Sequence, residues 1–172
     1  MRPLPLAILL MFLCCPGCGP LPYKGTKGKP GLPPASSADW PFKPVSMRVH
    51  PFTAMSFDEA AGKWVVEARV ELVDVLGDVT KGLGAFRFEL YAVAPTEGRA
   101  GEETRLYVWE DSVATLDQTR ARYDPITRTY YFKLQLDEPP LPKQRLRLAV
   151  QFNAAWGERL NATGQVEPAK PE

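Results

Sequence analysis

The chain has 172 residues, of which 45% are hydrophobic and 24% are charged, and its formal net charge at pH 7 is +1. This length supports one domain, and a charge so close to zero gives no reason to expect nucleic acid as a partner. All three cysteines lie at or before position 18 and His50 is the only histidine, which excludes disulfides, cysteine catalysis and a His-cluster zinc site beyond that point.

The first eighteen residues have the layout of an export signal. One positive charge, Arg2, precedes an apolar run at residues 4–13. The run is about ten residues long, half of the roughly 20 that a membrane-spanning helix needs. We therefore predict a signal peptide over residues 1–17 rather than a permanent membrane span.

The sequence Cys14-Cys15-Pro16-Gly17-Cys18-Gly19 follows this run and resembles the lipobox of bacterial lipoproteins. In that family a small residue precedes the cysteine that receives a diacylglycerol on its sulfur. Gly17 satisfies this for Cys18, whereas bulky Leu13 precedes Cys14. The resemblance implies that Cys18 is the lipid attachment site. An ordinary secretory signal with incidental cysteines is the alternative.

The implied anchor determines where the protein is expected to reside. One myristoyl-length chain binds a membrane only reversibly, so two or three acyl chains on Cys18 are needed for stable attachment. Gly19 carries no acidic charge of the kind that retains lipoproteins on the inner membrane in some bacteria. The resemblance thus implies a location in the cell envelope, at the outer membrane or the periplasmic face, with the membrane itself as a partner.

The segment after Cys18 is rich in proline, glycine and lysine. Its charged residues are Lys24, Lys27, Lys29, Asp39 and Lys43. Such a composition cannot bury enough apolar surface to offset the entropy of ordering, so we predict a disordered tether over residues 18–44. Its lysines either keep the tether solvated or add about 1 kcal/mol each near anionic headgroups.

From Val45 onward, apolar and polar residues alternate, which is typical of half-buried antiparallel strands. Four runs show this period most clearly, and their predicted core-facing residues are Trp64, Val66, Ala68, Val70 and Leu72; Phe86, Phe88, Leu90 and Ala92; Tyr130, Phe132, Leu134 and Leu136; and Leu146, Leu148, Val150 and Phe152. Shorter strands are predicted at residues 46–52, 105–110 and 160–166, together with a short uncapped helix near Leu116.

About seven strands without a long helix predict an all-β domain over residues 45–168, followed by a tail at 169–172. The expected architecture is an antiparallel β-sandwich with an immunoglobulin-like or a C2-like Greek key. Residues 68–78 are similar in pattern to a C2 strand that leads into a calcium loop.

Acidic residues in two stretches provide the only metal hypothesis. Asp74 and Asp78 share one loop, and Glu110, Asp111 and Asp117 share another stretch further along. Calcium takes six to eight oxygen ligands, so these acids would bind it only if the two stretches converge. Solvated loop carboxylates are the simpler interpretation, and we predict no metal site and no cofactor.

Four aromatic residues fall on predicted solvent-facing positions: Tyr91, Tyr107, Trp109 and Tyr131. An exposed aromatic strip stacks sugar rings or binds a protein partner, although a one-residue shift of phase reverses which of Tyr107 and Trp109 points inward.

The sequence contains no phosphate-binding glycine loop and no nucleophile elbow, and we predict no catalytic residue and no enzyme activity. The leading hypothesis is a lipid-anchored cell-envelope protein whose β-sandwich binds an envelope protein or the cell wall. A ligand-binding sandwich for calcium or carbohydrate is the alternative. The oligomeric state is left open.

Overall fold

A computed structural model describes residues 42–94, 102–138 and 144–166. The predicted signal peptide, Cys18, the tether up to residue 41 and the tail at 169–172 lie outside these residues. The described chain forms ten strands and one helix, in the order β1 (Ser46–Val49), β2 (Ala54–Asp58), β3 (Lys63–Val73), β4 (Val79–Thr80), β5 (Gly84–Val93), β6 (Glu103–Ser112), α1 (Leu116–Arg122), β7 (Tyr123–Asp124), β8 (Thr129–Leu136), β9 (Arg145–Ala154) and β10 (Arg159–Val166).

The strands form two antiparallel sheets. The first sheet has the order β1–β3–β8–β7, with β2 beside the start of β3 and β4 beside its end. The second sheet has the order β10–β9–β5–β6. The predicted all-β class is therefore confirmed. No helix in the described ranges is both long and apolar enough to span a bilayer.

One hydrophobic core fills the space between the two sheets. The predicted core faces of β3, β5, β8 and β9 all point into it, because alternate side chains of a strand share a face. Phenylalanines join the sheets at its centre, where the Phe132 ring lies 5.0 Å from that of Phe86 and 4.8 Å from that of Phe88. Each such buried ring contributes about 1.5–3 kcal/mol of hydrophobic stabilisation.

A buried tyrosine closes the core at the end where β8 begins. The Tyr130 hydroxyl donates to the Gly82 carbonyl at 2.8 Å and accepts from the Gly82 amide at 3.1 Å. Burial raises the pKa of Tyr130 to about 12. The hydroxyl is therefore neutral and satisfied, as a buried polar group must be.

Two local predictions differ from the structure. The first strand ends at Val49 rather than residue 52, because Pro51 has no amide hydrogen to donate and the chain turns before β2. The helix, predicted to be uncapped, begins with a capping box. The Thr115 hydroxyl accepts from the Gln118 amide, and the Gln118 side chain accepts from the Thr115 amide.

The two lateral sides of the paired sheets are closed in different ways. On one side β1 packs against β10. On the other side β6 reaches across to the end of β8, where the Trp109 indole donates to the Gln135 carbonyl at 2.9 Å. The Tyr107 hydroxyl accepts from the Glu138 amide at 3.1 Å. These contacts leave the outward surfaces of both sheets as the broad faces of the molecule.

Candidate functional site

Asp74, singled out as a possible calcium ligand, instead holds its own turn together. Its side chain is buried, and one carboxylate oxygen accepts from the amides of Leu76 at 2.9 Å and Asp78 at 3.0 Å. The side chain of Asp78 lies exposed in the same turn. The carboxylate of Asp74 thus supplies the acceptor that a tight turn requires.

The acids of β6 are paired with arginines on neighbouring elements. Glu110 accepts from Arg87 on β5 at 2.7 Å, and Asp111 lies 2.6 Å from a guanidinium nitrogen of Arg122 on α1. Over residues 42–94, 102–138 and 144–166, no group of three or more His, Cys, Asp or Glu side chains is arranged to hold a metal ion. The structure places these acids in separate contacts and does not bring them together.

The predicted aromatic residues do not form a single strip. Tyr131 lies on the outer face of the first sheet under the Arg69 guanidinium, 4.6 Å from its ring centroid. Tyr107 and Trp109 stack with ring centroids 5.4 Å apart and pack against the edge of the core. Of the four, only Tyr91 lies on the outer face of the second sheet, and that face carries a polar cluster built from three strands.

This cluster, which we call the Glu89 network, spans three neighbouring strands. Its members are Arg87, Glu89 and Tyr91 on β5, Glu103, Arg105 and Glu110 on β6, and Arg147 on β9. They gather because they occupy outward positions that alternate with the core residues of these strands.

Glu89 is the centre of the network. It accepts from Arg87 Nε at 3.0 Å and Nη2 at 2.9 Å, it accepts from the Tyr91 hydroxyl, and Arg105 lies 3.6 Å away. The hydrogen bond from Tyr91, followed by that from Arg87, lowers the pKa of Glu89. The same hydrogen bond raises the pKa of Tyr91. Glu89 is therefore held as a carboxylate and Tyr91 as a phenol.

Arg147 connects the third strand to the network. Its guanidinium donates twice to the Glu103 carboxylate, once at 2.7 Å, and lies 4.6 Å from the centroid of the Tyr91 ring. The pairing lowers the pKa of Glu103 and raises that of Arg147. Bidentate arginine–carboxylate pairs are among the more strongly directional polar contacts, so this part of the face has a defined shape.

An exposed apolar strip adjoins the network along β6. Val108 lies directly across from Glu89 in the strand pairing and is 40% exposed. Leu106, also exposed, lies where the register between β5 and β6 shifts. A separate cleft of about 450 Å³ lies at the end of this sheet where β5 ends and where β6 and β9 begin, with Thr104, Leu106 and Arg145 among its lining residues. The face thus combines arginine, tyrosine and aliphatic surface, which is typical of protein-binding surfaces.

Sequence reasoning singled out Tyr91 as a solvent-facing candidate but did not single out Arg87 and Glu89, which share its face. A signal for them was present, since opposite charges two residues apart on one strand lie on the same face. Lys133 lies two residues from Tyr131 on β8 of the first sheet and donates to Asp58 at 2.8 Å. The one predicted site residue, Cys18, lies outside the described residues.

Comparison with known proteins found no match: no protein-family model, no curated protein and no solved structure is similar to this chain.

Proposed function

We propose that this protein is a lipid-anchored protein of the bacterial cell envelope whose β-domain binds a protein partner through the outer face of the second sheet. The anchor part of this proposal is supported by the lipobox-like sequence that ends at Cys18. The binding part depends on one observation, the Glu89 network beside exposed Val108. The domain acts here as a non-catalytic binding module.

The order within the network favours binding over simple solvation. Long charged side chains lose rotamer freedom when a partner immobilises them, at about 0.5–1.5 kcal/mol each. In the Glu89 network, Arg87 and Arg147 are already held by carboxylates. These arginine side chains have therefore already lost much of their conformational entropy on folding. A partner that hydrogen-bonds to them immobilises them at a smaller further cost in entropy.

We also propose that the two sheets have an immunoglobulin-like Greek-key topology. The strand order supports this proposal: β1 with β2, β3 and β8 would correspond to strands A, B and E, and β10, β9, β5 and β6 to strands G, F, C and C′. The short β7 beyond β8 would take the position of strand D. A C2-like arrangement is the rival topology.

Photo-crosslinking in living cells tests the binding face. A photoreactive amino acid at Val108 is expected to give a discrete adduct of higher mass in the full-length protein. The same residue at Gln135, which is exposed on the outer face of the first sheet, serves as the matched control and is expected to give none. Adducts at both positions, or at neither, would contradict binding through the second sheet.

A thermal-melt screen of the full-length protein distinguishes the proposed protein-binding module from a domain that binds calcium or carbohydrate. Under our proposal, calcium, a chelator and cell-wall sugars leave the melting temperature unchanged. A ligand present at 100 times its dissociation constant would instead add about 2.7 kcal/mol of stability. Such a shift would support a calcium- or carbohydrate-binding sandwich.

Metabolic labelling tests the anchor independently of the binding face. Cells fed a labelled fatty acid are expected to label the full-length protein, and Cys18→Ser is expected to abolish the label and leave an uncleaved or soluble product. Label that persists in Cys18→Ser would move the attachment site to Cys14 or Cys15. An unlabelled wild-type protein would overturn the anchor.

A further inference from the structure

Exposed apolar side chains gather at one end of the paired sheets. Val75 and Leu76, at the tip of the turn between β3 and β4, expose 64% and 68% of their surface. Ile126, in the turn between β7 and β8, exposes 91%. We call these three residues the apolar tips. The two turns are neighbours, because Arg128 of the second turn donates to the carbonyl of Val79, at the start of β4, at 3.1 Å.

Both turns hold their tips on a fixed backbone. Asp74 accepts from the amide of Leu76, and Asp124 accepts from the amide of Ile126 at 2.9 Å. Asp124 also accepts from Arg69 at 3.0 Å, which ties its turn to the first sheet. The apolar tips therefore project from ordered turns. Clustered apolar side chains in such positions mark surfaces that other molecules cover.

The chain reaches the domain at this same end. The Phe42 carbonyl accepts from the Thr80 hydroxyl at 2.8 Å, and the Val45 amide donates to the Val73 carbonyl at 2.9 Å. Cys18 precedes Phe42 by only 24 residues. A segment of that length reaches several tens of ångströms at about 3.1 Å per residue, so an anchor at Cys18 would allow the apolar tips to contact the membrane.

Cationic side chains border the apolar tips. Lys81 follows β4 and lies 4.3 Å from the centroid of the Tyr123 ring, and Arg128 lies in the second turn. Asp78 is the exposed acid of the first turn, while the carboxylate of Asp124 is paired with Arg69. Apolar tips beside basic residues fit a bilayer that contains anionic lipid, since aliphatic groups enter the acyl boundary while cations stay at the headgroups.

We propose that the apolar tips insert into the headgroup region of the membrane that carries the lipid anchor, which orients the domain with this end against an anionic bilayer. This inference rests on the proposed lipid anchor at Cys18. Three aliphatic side chains bind a bilayer weakly by themselves, but a tether raises their effective concentration at the surface into the millimolar range. The Glu89 network lies on a sheet face rather than on this end and stays open to a partner.

Depth-dependent quenching tests the insertion in the full-length acylated protein. The chain has no cysteine after position 18, and acylation blocks the Cys18 sulfur, so a cysteine introduced at Leu76 or Ile126 is a unique labelling site in the acylated protein. If the native protein is unacylated, the same substitutions are made with Cys14, Cys15 and Cys18 changed to serine. Each variant carries an environment-sensitive dye and is placed in vesicles of phosphatidylethanolamine and phosphatidylglycerol with brominated acyl chains. Ala60, in the turn at the opposite end of β3, provides the control position.

We expect bromine to quench the dye at Leu76→Cys and Ile126→Cys at least about twofold more than at Ala60→Cys, because inserted side chains lie about 5–10 Å into the interface. Equal quenching at all three positions would overturn the insertion. A dye at position 76 that is shielded from aqueous iodide, yet not quenched by bromine, would also overturn it and point to a protein covering the apolar tips.

The mass of the N-terminal peptide separates this inference from the proposed anchor. Acylated protein without selective quenching would reject the insertion and leave the anchor intact. Unacylated protein whose dye at position 76 is still selectively quenched would reject the anchor and keep the insertion. Unacylated protein without quenching would reject both.

Discussion

Strand β3 begins and ends in two turns that are built alike but carry different tips. At its start, Asp58 accepts from the Ala61 amide at 3.2 Å, and at its end Asp74 accepts from two amides in the same manner. Each turn contains a glycine with positive φ, 63° at Gly62 and 88° at Gly77. The first turn presents Glu-Ala-Ala and the second presents Val-Leu. Because aspartate and glycine already form the turn, the apolar tip residues are not required by the backbone.

The two aspartates differ in their surroundings. Asp74 is only 4% exposed, whereas Asp58 is half-buried and pairs with Lys133 at 2.8 Å. Removing the buried carboxylate leaves two amides unpaired, whereas removing the half-buried one leaves one amide that water can reach more easily. The same turn chemistry should therefore contribute unequally to stability at the two ends of β3.

The largest expected effect is that of Asp74→Ala. It leaves the amides of Leu76 and Asp78 without their acceptor and should lower the free energy of unfolding by about 2–3 kcal/mol. Asp58→Ala should cause a clearly smaller loss. Urea unfolding of the full-length variants measures both, and Asp74→Asn, which retains one acceptor oxygen, should fall between them. Equal losses for the two alanine variants would contradict the difference in burial.

The two glycines should instead respond equally. Gly62→Ala and Gly77→Ala each force a side chain into a left-handed conformation, at a cost of about 1 kcal/mol in unfolding free energy. Neither position has a neighbouring atom within 4 Å of an added Cβ, so backbone strain is the only penalty. Gly77→Asn should cost less, because asparagine tolerates this conformation. A loss several times larger at only one glycine would show that the turns are built differently.

The strand faces could be predicted because alternation alone determines which side chains share a face. The inward positions of β5 and β9 follow directly from it. The capping box at Thr115 and Gln118 also has a sequence signature, which the prediction of an uncapped helix overlooked. β2 was missed because its five residues follow Pro51 and show only a short alternation.

The Glu89 network could not be predicted, because its contacts depend on sheet order. β5 lies between β6 and β9, and β9 comes from far along the chain. No local sequence pattern predicts that Arg147 lies over the Tyr91 ring, because the two residues are far apart in the chain. The shift of register between β5 and β6 likewise sets where Leu106 points. For the same reason, the acids around Asp74 and Asp111 could be read as a possible calcium site until their separate partners were known.

Asp124, like Asp74, accepts a hydrogen bond from an amide of its own turn, and its contribution to stability depends on pH. Hydrogen bonds from Thr127 and from the Ile126 amide, together with Arg69, lower the pKa of Asp124 from 3.8 to about 2. Because the folded-state pKa is the lower one, this stabilisation is fully present above about pH 4 and is lost as the pH falls towards 2. Asp124→Asn should therefore flatten the decline in unfolding free energy over that interval. Urea unfolding at several pH values measures the slope of the unfolding free energy against pH. The same slope in Asp124→Asn as in the wild-type protein would contradict this role.

The smallest expected change in stability is that of the apolar tip itself. Leu76→Ser should alter the unfolding free energy by no more than about 0.5 kcal/mol. The side chain is largely in solvent, and the hydrogen bond from the backbone amide of residue 76 to Asp74 is kept. Glu59→Ser in the opposite turn is the matched control and should behave the same. A loss above about 1 kcal/mol in Leu76→Ser alone would mean that the leucine packs to hold the fold. The aspartate hydrogen bonds already hold the backbone of both turns. If Leu76→Ser is as stable as Glu59→Ser, the leucine is not needed for folding, and contact with another molecule is the remaining reason for an apolar residue at this tip.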